Sequence, residues 1–334
     1  MAVLTVSSAQ LQDLLRFGEL SRHGPRWSSS LVKRPRTWSP LRAAIRSHPP
    51  VAGLWPSSVR TLALRDGRRT MGFAQTALRR EPDQWEIMFL VLVQAASAGK
   101  APSAVTEAER GVSRLLSGVC EAAEEEGTTR LFARLPDDSA VIESFRRLGF
   151  AKVLNEQTYV AHARTPGEPP AHLGLRGQRP ADAYPLWQLY RASTPAVVQT
   201  AEALSSRQWD LPLPMLPRWL LPRRRVRGWV VPGEKRPLAW VQLATDSKKS
   251  AVAELMVDPS ATDLVEDLLD YVVAQVGRGN VLLAFTVREH QTALQLALEA
   301  RGFGLAESSD LVVKRLAVPV LQRGLVPILE KVAT

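Results

Sequence analysis

Two landmarks in this chain recur at a single spacing. Leu115-Leu116 returns as Leu268-Leu269 and Gly149-Phe150 as Gly302-Phe303; 268 − 115 and 302 − 149 are both 153. A constant offset across landmarks this far apart is the mark of a tandem duplication, so the fold must be one that a single copy can encode. Around each landmark the order of elements is the same. In the first copy a helix over 106–126 leads through Gly127 to a strand at 130–135. A helix over 139–147 follows, ending in Leu148-Gly149-Phe150, and then a strand near 158–162. In the second copy the corresponding segments are 263–276, 281–287, 292–300, Arg301-Gly302-Phe303 and 310–314.

The amino-terminal parts of the copies agree in kind. Each opens with a short strand (3–6 and 172–176) and a helix (9–20 and 182–193), followed by an irregular stretch rich in Pro, Trp and Arg. Three strands come next, at 61–65, 70–78 and 85–93 in one copy and at 226–231, 238–245 and 251–257 in the other. Asp66-Gly67 and Pro232-Gly233 supply hairpin turns between them. Arg164-Thr-Pro-Gly-Glu-Pro-Pro170 can continue neither a helix nor a central strand. The domains are therefore read as 1–164 and 171–318, joined by a linker at 165–170 and followed by a carboxy-terminal helix within 319–334.

Composition narrows the function classes. The chain has 334 residues, 45% of them hydrophobic and 23% charged, as in a globular protein of two ordinary domains. No run approaches the roughly eighteen apolar residues of a membrane span, and the amino terminus lacks the pattern of a secretory signal. Cys120 is the sole cysteine. It stands at helical spacing among Leu116, Val119 and Ala123, which predicts a buried core thiol and excludes an internal disulfide. The five histidines show no metal-ligand spacing, so no metal site is expected. A cytoplasmic location is the expectation.

Strand, helix, three meandering strands, helix, strand, helix, strand describes a mixed, mostly antiparallel α/β sheet flanked by helices. The order resembles the Gcn5-related N-acetyltransferase (GNAT) superfamily over residues 2–164 and again over 171–317. The segments Ile142-Glu-Ser-Phe-Arg-Arg-Leu-Gly-Phe150 and Leu294-Gln-Leu-Ala-Leu-Glu-Ala-Arg-Gly-Phe303 resemble the family's helix that ends in Gly-Phe. There the glycine leaves the helix through a left-handed cap and the phenylalanine anchors the next strand.

The resemblance implies acyl-CoA in a wedge between a splayed fourth strand and the fifth. Pantetheine then pairs with fourth-strand backbone, and the pyrophosphate rests on amides at the start of the next helix. In the first copy this points to Val91, Leu92 and Val93 for the strand, and to Lys100, Arg110, Gly111 and Asp138 around the cofactor. Asp138 reads equally as a helix cap. In the second copy the matching stretch, Ser260-Ala-Thr-Asp-Leu-Val-Glu-Asp267, carries no glycine and three carboxylates, which disfavour a pyrophosphate. The tyrosine that many relatives use as proton donor is replaced by Phe145 and Leu298. Glu86 and Glu254 are the candidate bases for an amine acceptor, and each reads equally as a solvent-facing strand residue. The implied reaction is transfer of an acetyl or acyl group to an amine on a small molecule or peptide.

The net charge of +10 is unevenly spread: no acidic residue occurs from Leu20 to Arg65. Arg34, Arg36 and Trp38 fall in that stretch, and Arg223 and Arg225 in a second basic stretch at 218–227. Both stretches occupy the slot that covers the acceptor in the family. They are candidates for binding an anionic substrate, a protein or nucleic acid, and read equally as solvated basic faces over buried tryptophans. The competing function class is thus a non-catalytic binding module on the same fold.

Overall fold

The structure, a computed structural model, describes residues 4–9, 13, 59–67, 69–92, 102–137, 139, 141–163, 173–210, 225–247, 250–276 and 281–317. The first copy supplies β1 (Leu4–Ser8), β2 (Val59–Asp66), β3 (Arg69–Leu78), β4 (Gln84–Leu92), α1 (Pro102–Glu125), β5 (Arg130–Pro136), α2 (Ile142–Arg147) and β6 (Ala151–Ala163). The second supplies β7 (Arg176–Gly177), α3 (Ala183–Ser193), α4 (Ala196–Glu202), β8 (Arg225–Val231), β9 (Ala239–Ser247), β10 (Ser250–Val257), α5 (Val265–Val276), β11 (Val281–Arg288), α6 (Thr292–Ala300) and β12 (Gly304–Arg315). Of the predicted helix over 9–20 only Ala9 and Asp13 are described, and the linker at 165–170 and the helix proposed within 319–334 lie outside the described residues.

All twelve strands form one sheet, in the order β1-β2-β3-β4-β5-β12-β6-β11-β10-β9-β8-β7. The order reads the same from either end once each strand is replaced by its counterpart in the other copy. A pseudo-two-fold axis therefore passes between β12 and β6, and the final strands are exchanged. β12 inserts between β5 and β6, pairing Val312 with Ala133 on one side and Leu311 with Leu154 on the other. β6 in turn pairs with β11, from Val281↔Ala163 to Arg288↔Glu156. Each copy thus completes its ladder with the last strand of its twin.

Both final strands are longer than the pattern predicts, since β6 begins at Ala151 and β12 at Gly304. The added half of β6 carries Lys152, Asn155 and Glu156, whose polarity hides strand character in the sequence, and it meets Asp310, the first residue of the strand predicted at 310–314. They are tolerated at the seam because they satisfy one another: Asn155 Nδ2 donates to Asp310 at 2.9 Å, and Lys152 pairs with Asp310 at 2.7 Å.

Apolar side chains of α1 and α2 pack on one half of the sheet around Leu115, Leu116 and Phe145. Those of α5 and α6 pack on the other half around Leu268, Leu269 and Leu298. Cys120 is buried in the first of these cores, and burial raises its thiol pKa. The two Gly-Phe endings are superimposable helix stops. Gly149 and Gly302 sit at φ +85° and +77°. Phe150 N–H donates to Phe145 O at 3.1 Å and Phe303 N–H to Leu298 O at 3.0 Å, the six-to-one bond of a Schellman cap. On the opposite face α3 covers β8 and β9 through Leu186, Leu189 and Tyr190, while Val198 of α4 packs on Phe132, Leu154 and Leu311 at the seam. No helix among the described residues is long and apolar enough to cross a membrane.

Candidate active site at the seam of the two copies

The fourth and fifth strands part company in both copies. In the first, β4 and β5 run parallel from Gln84↔Arg130 to Ile87↔Ala133, where the ladder ends. The next residue, Met88, is a bulge: Thr76 of β3 faces Ile87 while Gln75 faces Phe89. A bulge sharpens the local twist and re-aims side chains, so it directs the end of β4 away from β5. The helix that follows opens with Pro102-Ser-Ala-Val105, without an acidic residue in its first turn. That is the charge pattern an anion at a helix start needs.

The second wedge is built differently. β10 and β11 pair from Ser250↔Leu282 to Ala253↔Phe285, and β10 continues against β9 without a bulge from Ala251 to Val257. Beyond the last pair the gap is stapled by Gln291. Its Nε2 donates to Leu255 O at 2.8 Å, and its Oε1 accepts from Arg288 N–H at 3.0 Å. The side chain thereby takes the strand carbonyl that a pantetheine would need. Glu266 and Asp267 occupy the first turn of α5. Asp258 before it accepts from Ser260 N–H at 3.0 Å and pairs with Arg236 at 2.5 Å. Burial opposes its ionisation, but Arg236 and Ser260 outweigh that and hold its pKa down at about 2. These residues fit an acyl-CoA in the first wedge and not in the second.

Both wedges open onto one chamber of about 460 Å³, on the face that α3 covers. Its wall is continuous from Glu86 and Met88 of β4 through Arg134 and Thr158 to Glu254, Met256 and Arg288 of the second copy. Arg134 bridges the copies' ladders by bonding Glu86 and, at 2.6 Å, Glu156. Burial works against its charge, but Glu156 and Glu86 prevail and raise its pKa well above the ordinary value. Arg288 makes a two-pronged contact with Glu202 of α4 at 2.8 and 3.0 Å, and the Tyr190 hydroxyl donates to the same carboxylate at 2.7 Å. Glu202 is fully buried; desolvation opposes its charge, and Arg288 and Arg79 overcome it and lower its pKa. Gln84 of the first copy donates to the Glu202 carbonyl at 2.7 Å, tying α4 to β4.

Arg79 and Glu254, also on the wall, take no part in these ion pairs. The Arg79 guanidinium lies over the Phe132 ring at 4.1 Å from its centroid, and its buried Nη1 has no hydrogen-bond partner. Burial lowers its pKa, with Arg134 and Arg288 acting in the same direction against Glu86 and Glu202. The Glu254 carboxylate is exposed in the chamber and has no ion pair or hydrogen bond to another described residue. His290 also lines the chamber, with a buried, unpartnered Nδ1; burial, then Arg288, lowers its pKa and favours the neutral ring.

The sequence-derived candidates divide accordingly. Glu86 and Glu254 reach the same chamber, Glu86 clamped by Arg134 and Glu254 open. Val91 is buried with Phe73 and Phe89 on the chamber's side of the sheet, while Leu92 turns to the α1 side. Gly111 is buried ten residues into α1, where an added Cβ would stand 3.3 Å from Leu92. Its absent side chain lets helix and strand approach, and its amide lies inside the helical ladder rather than at its start. Arg110 is exposed on the same helix. Arg225 opens β8 opposite Thr245. Val93, Lys100, Asp138, Arg34, Arg36, Trp38 and Arg223 lie outside the described residues.

Arg79, Arg134, Glu156, Glu202, Arg288 and Gln291 were not singled out by the sequence. The one available signal was charge within otherwise apolar strands, at Arg134 near the end of β5 and Arg288 at the end of β11. Among the described residues no cluster of His, Cys, Asp and Glu is suited to a metal ion.

No protein-family model and no curated protein sequence matches the chain. Solved structures do resemble it. A GCN5-related glucosamine N-acetyltransferase region in a fungal multi-domain β-N-acetylglucosaminidase superposes with TM-score 0.51 at 14% identity, covering 94% of this chain and 38% of that one. A tandem GNAT protein from the clavulanic acid biosynthesis pathway gives 0.49 at 14% identity, covering 94% and 98% of the two chains. A GCN5-related N-acetyltransferase from Sphaerobacter thermophilus gives 0.49 at 10% identity, covering 93% and 95%. Likeness at such identities is one of fold. Strand order, splayed fourth strands and paired Gly-Phe caps together give this chain the Gcn5-related N-acetyltransferase fold, present twice within one shared sheet.

Proposed function

We propose that the protein is an acyltransferase that moves an acetyl or other acyl group from acyl-CoA, held by the first copy, to an amine seated in the seam chamber. The observation that carries this reading is the bulge at Met88, where β4 leaves β5 beside a chamber that also holds the open carboxylate of Glu254. When bound, acyl-CoA supplies the activated acyl group. The splayed end of β4, including Val91 and Leu92, would lie along the cofactor, with the start of α1 toward its phosphates. Glu254 would orient the acceptor ammonium and take its proton, directly or through water. Arg134 holds Glu86 in an ion pair, which makes Glu86 a wall of the acceptor site rather than its base. Phe145 is buried in the core, so the thiolate's proton would have to come from another group or from water.

A thermal shift with acetyl-CoA tests the reading. Ligand at about a hundred times its dissociation constant adds roughly 2.7 kcal/mol, and native mass spectrometry should count one CoA per chain. No shift at millimolar acetyl-CoA would sink the enzyme reading. What would remain is the second reading, a module that only holds an anionic ligand, which the unpaired Arg79 favours. Nucleic acid or an acidic protein would belong to that reading through the basic stretches at 22–65 and 218–227.

A further inference from the structure

We infer that the chamber's ligand is a primary amine on an apolar body, with its ammonium on Glu254 and its body on Met256 and Trp240. As a statement about the acceptor this rests on the transferase reading; as a statement about binding it does not. The β10–β9 ladder sets these groups side by side. Glu254 pairs with Gln242 and Met256 with Trp240, and all four line the chamber. Residues two apart on a strand share a face at about 7 Å, so one small molecule spans the carboxylate and the apolar wall. Met256 packs on the cluster that holds Trp240, Tyr190 and Trp209, and Trp240 Nε1 donates to Gln178 Oε1 at 2.9 Å, which fixes the ring. The chamber's volume of about 460 Å³ lies in the range of small-molecule sites.

Charge on this wall favours a cation. Of the lining residues that β9 and β10 supply, Glu254 alone is charged, and it is exposed in the chamber. Arg288, at the end of the neighbouring β11, is held by Glu202 at 2.8 Å and faces Glu156 at 3.8 Å. Burial favours the neutral form of His290 on the same wall. Glu307 of β12, which has an interaction of its own, joins this row through Thr286↔Thr158 and Thr158↔Glu307, and adds negative charge.

The other lining arginines come from the first copy. Arg134 pairs with Glu86 and Glu156, and Arg80 donates to the carbonyls of Gln208 and Asp210. Arg79 lies over Phe132 of β5, four strands from β10 in the sheet. At about 4.8 Å per strand that is roughly 19 Å, beyond a carboxylate borne next to the ammonium. Such a carboxylate would meet this wall without a cation to receive it, so amines should bind better than the matching amino acids.

The test needs no acyl-CoA. Phenethylamine, tryptamine and hexylamine are titrated at millimolar concentration against the full chain by calorimetry. Each is set beside the alcohol and the α-amino acid of the same skeleton, with ethylamine as the amine that lacks a body. At least one of the three amines should bind saturably. Its alcohol, its amino acid and ethylamine should each bind at least about tenfold more weakly, and E254Q should lose about tenfold or more in affinity. E254D, which keeps the charge, should fall between wild type and E254Q. Absence of binding by all three amines, equal binding of the alcohol, the amino acid or ethylamine, or wild-type affinity in E254Q would each overturn the inference. The ligands are compared on the wild-type protein, so misfolding of a variant cannot mask the answer. Amine binding without acetyl-CoA binding would remove the transferase reading and leave this one. Acetyl-CoA binding with none of the amines bound would do the reverse.

Discussion

The two wedges start from the same architecture and end as chemical opposites. In the first copy an extra residue, Met88, turns the end of β4 out of the ladder, and the following helix begins without acid. In the second copy β10 runs regularly, Gln291 spans the gap, and carboxylates crowd the helix start. The difference teaches that one frame carries an open wedge in the first copy and a stapled one in the second, while α3 of the second copy covers a chamber that both copies line.

The largest expected effect comes from cutting that cover loose. E202A leaves Arg288 and the Tyr190 hydroxyl without their partner in a buried site, and should destabilise the chain by about 3 kcal/mol or more. Chemical denaturation measures it; a loss below about 1 kcal/mol would show that α4 is not locked to the seam.

Next is D258N, which removes the charge that Arg236 and Ser260 stabilise. The folded pKa of about 2 lies below the ordinary 3.8, so the carboxylate's contribution is complete above pH 3.8. It fades as pH falls through the folded value. At neutral pH the variant should be less stable by about 1–2 kcal/mol, and the gap from wild type should close between those two pH values. A gap independent of pH would assign the loss to packing instead.

Q291A removes the staple and both of its hydrogen bonds, an expected loss of about 1–2 kcal/mol. Because Glu266 and Asp267 remain, CoA stoichiometry by native mass spectrometry should stay at one. A second bound CoA would show that Gln291 alone separates the wedges.

The smallest effect tests where the copies agree. Gly149→Ala and Gly302→Ala each place a side chain at positive φ with nothing within 4 Å of the new Cβ. Each should therefore cost about 1 kcal/mol from backbone strain alone. Unequal melting shifts would show that the two caps bear different loads.

Much of the frame was legible in the chain because local chemistry dictates it. Gly149 and Gly302 are required by left-handed helix stops, Asp66-Gly67 by a hairpin, and the leucine pairs by the buried faces of α1 and α5. Those requirements fix element order, the duplication and the fold. The two wedges could also be told apart in part, since Ser260 to Asp267 shows its carboxylates directly.

The sequence did not disclose the exchange of β6 and β12, because strand pairing joins residues far apart in the chain and the seam halves of both strands are polar. Nor did it disclose the chamber. Arg134 and Arg288 are charges near the ends of their strands and Arg79 follows the end of β3, and only the shared sheet brings them together with Glu86, Glu156 and Glu202. Local pattern reports which face of an element is apolar. Which charges meet across a seam, and which one is left without a partner, is decided by contacts between elements.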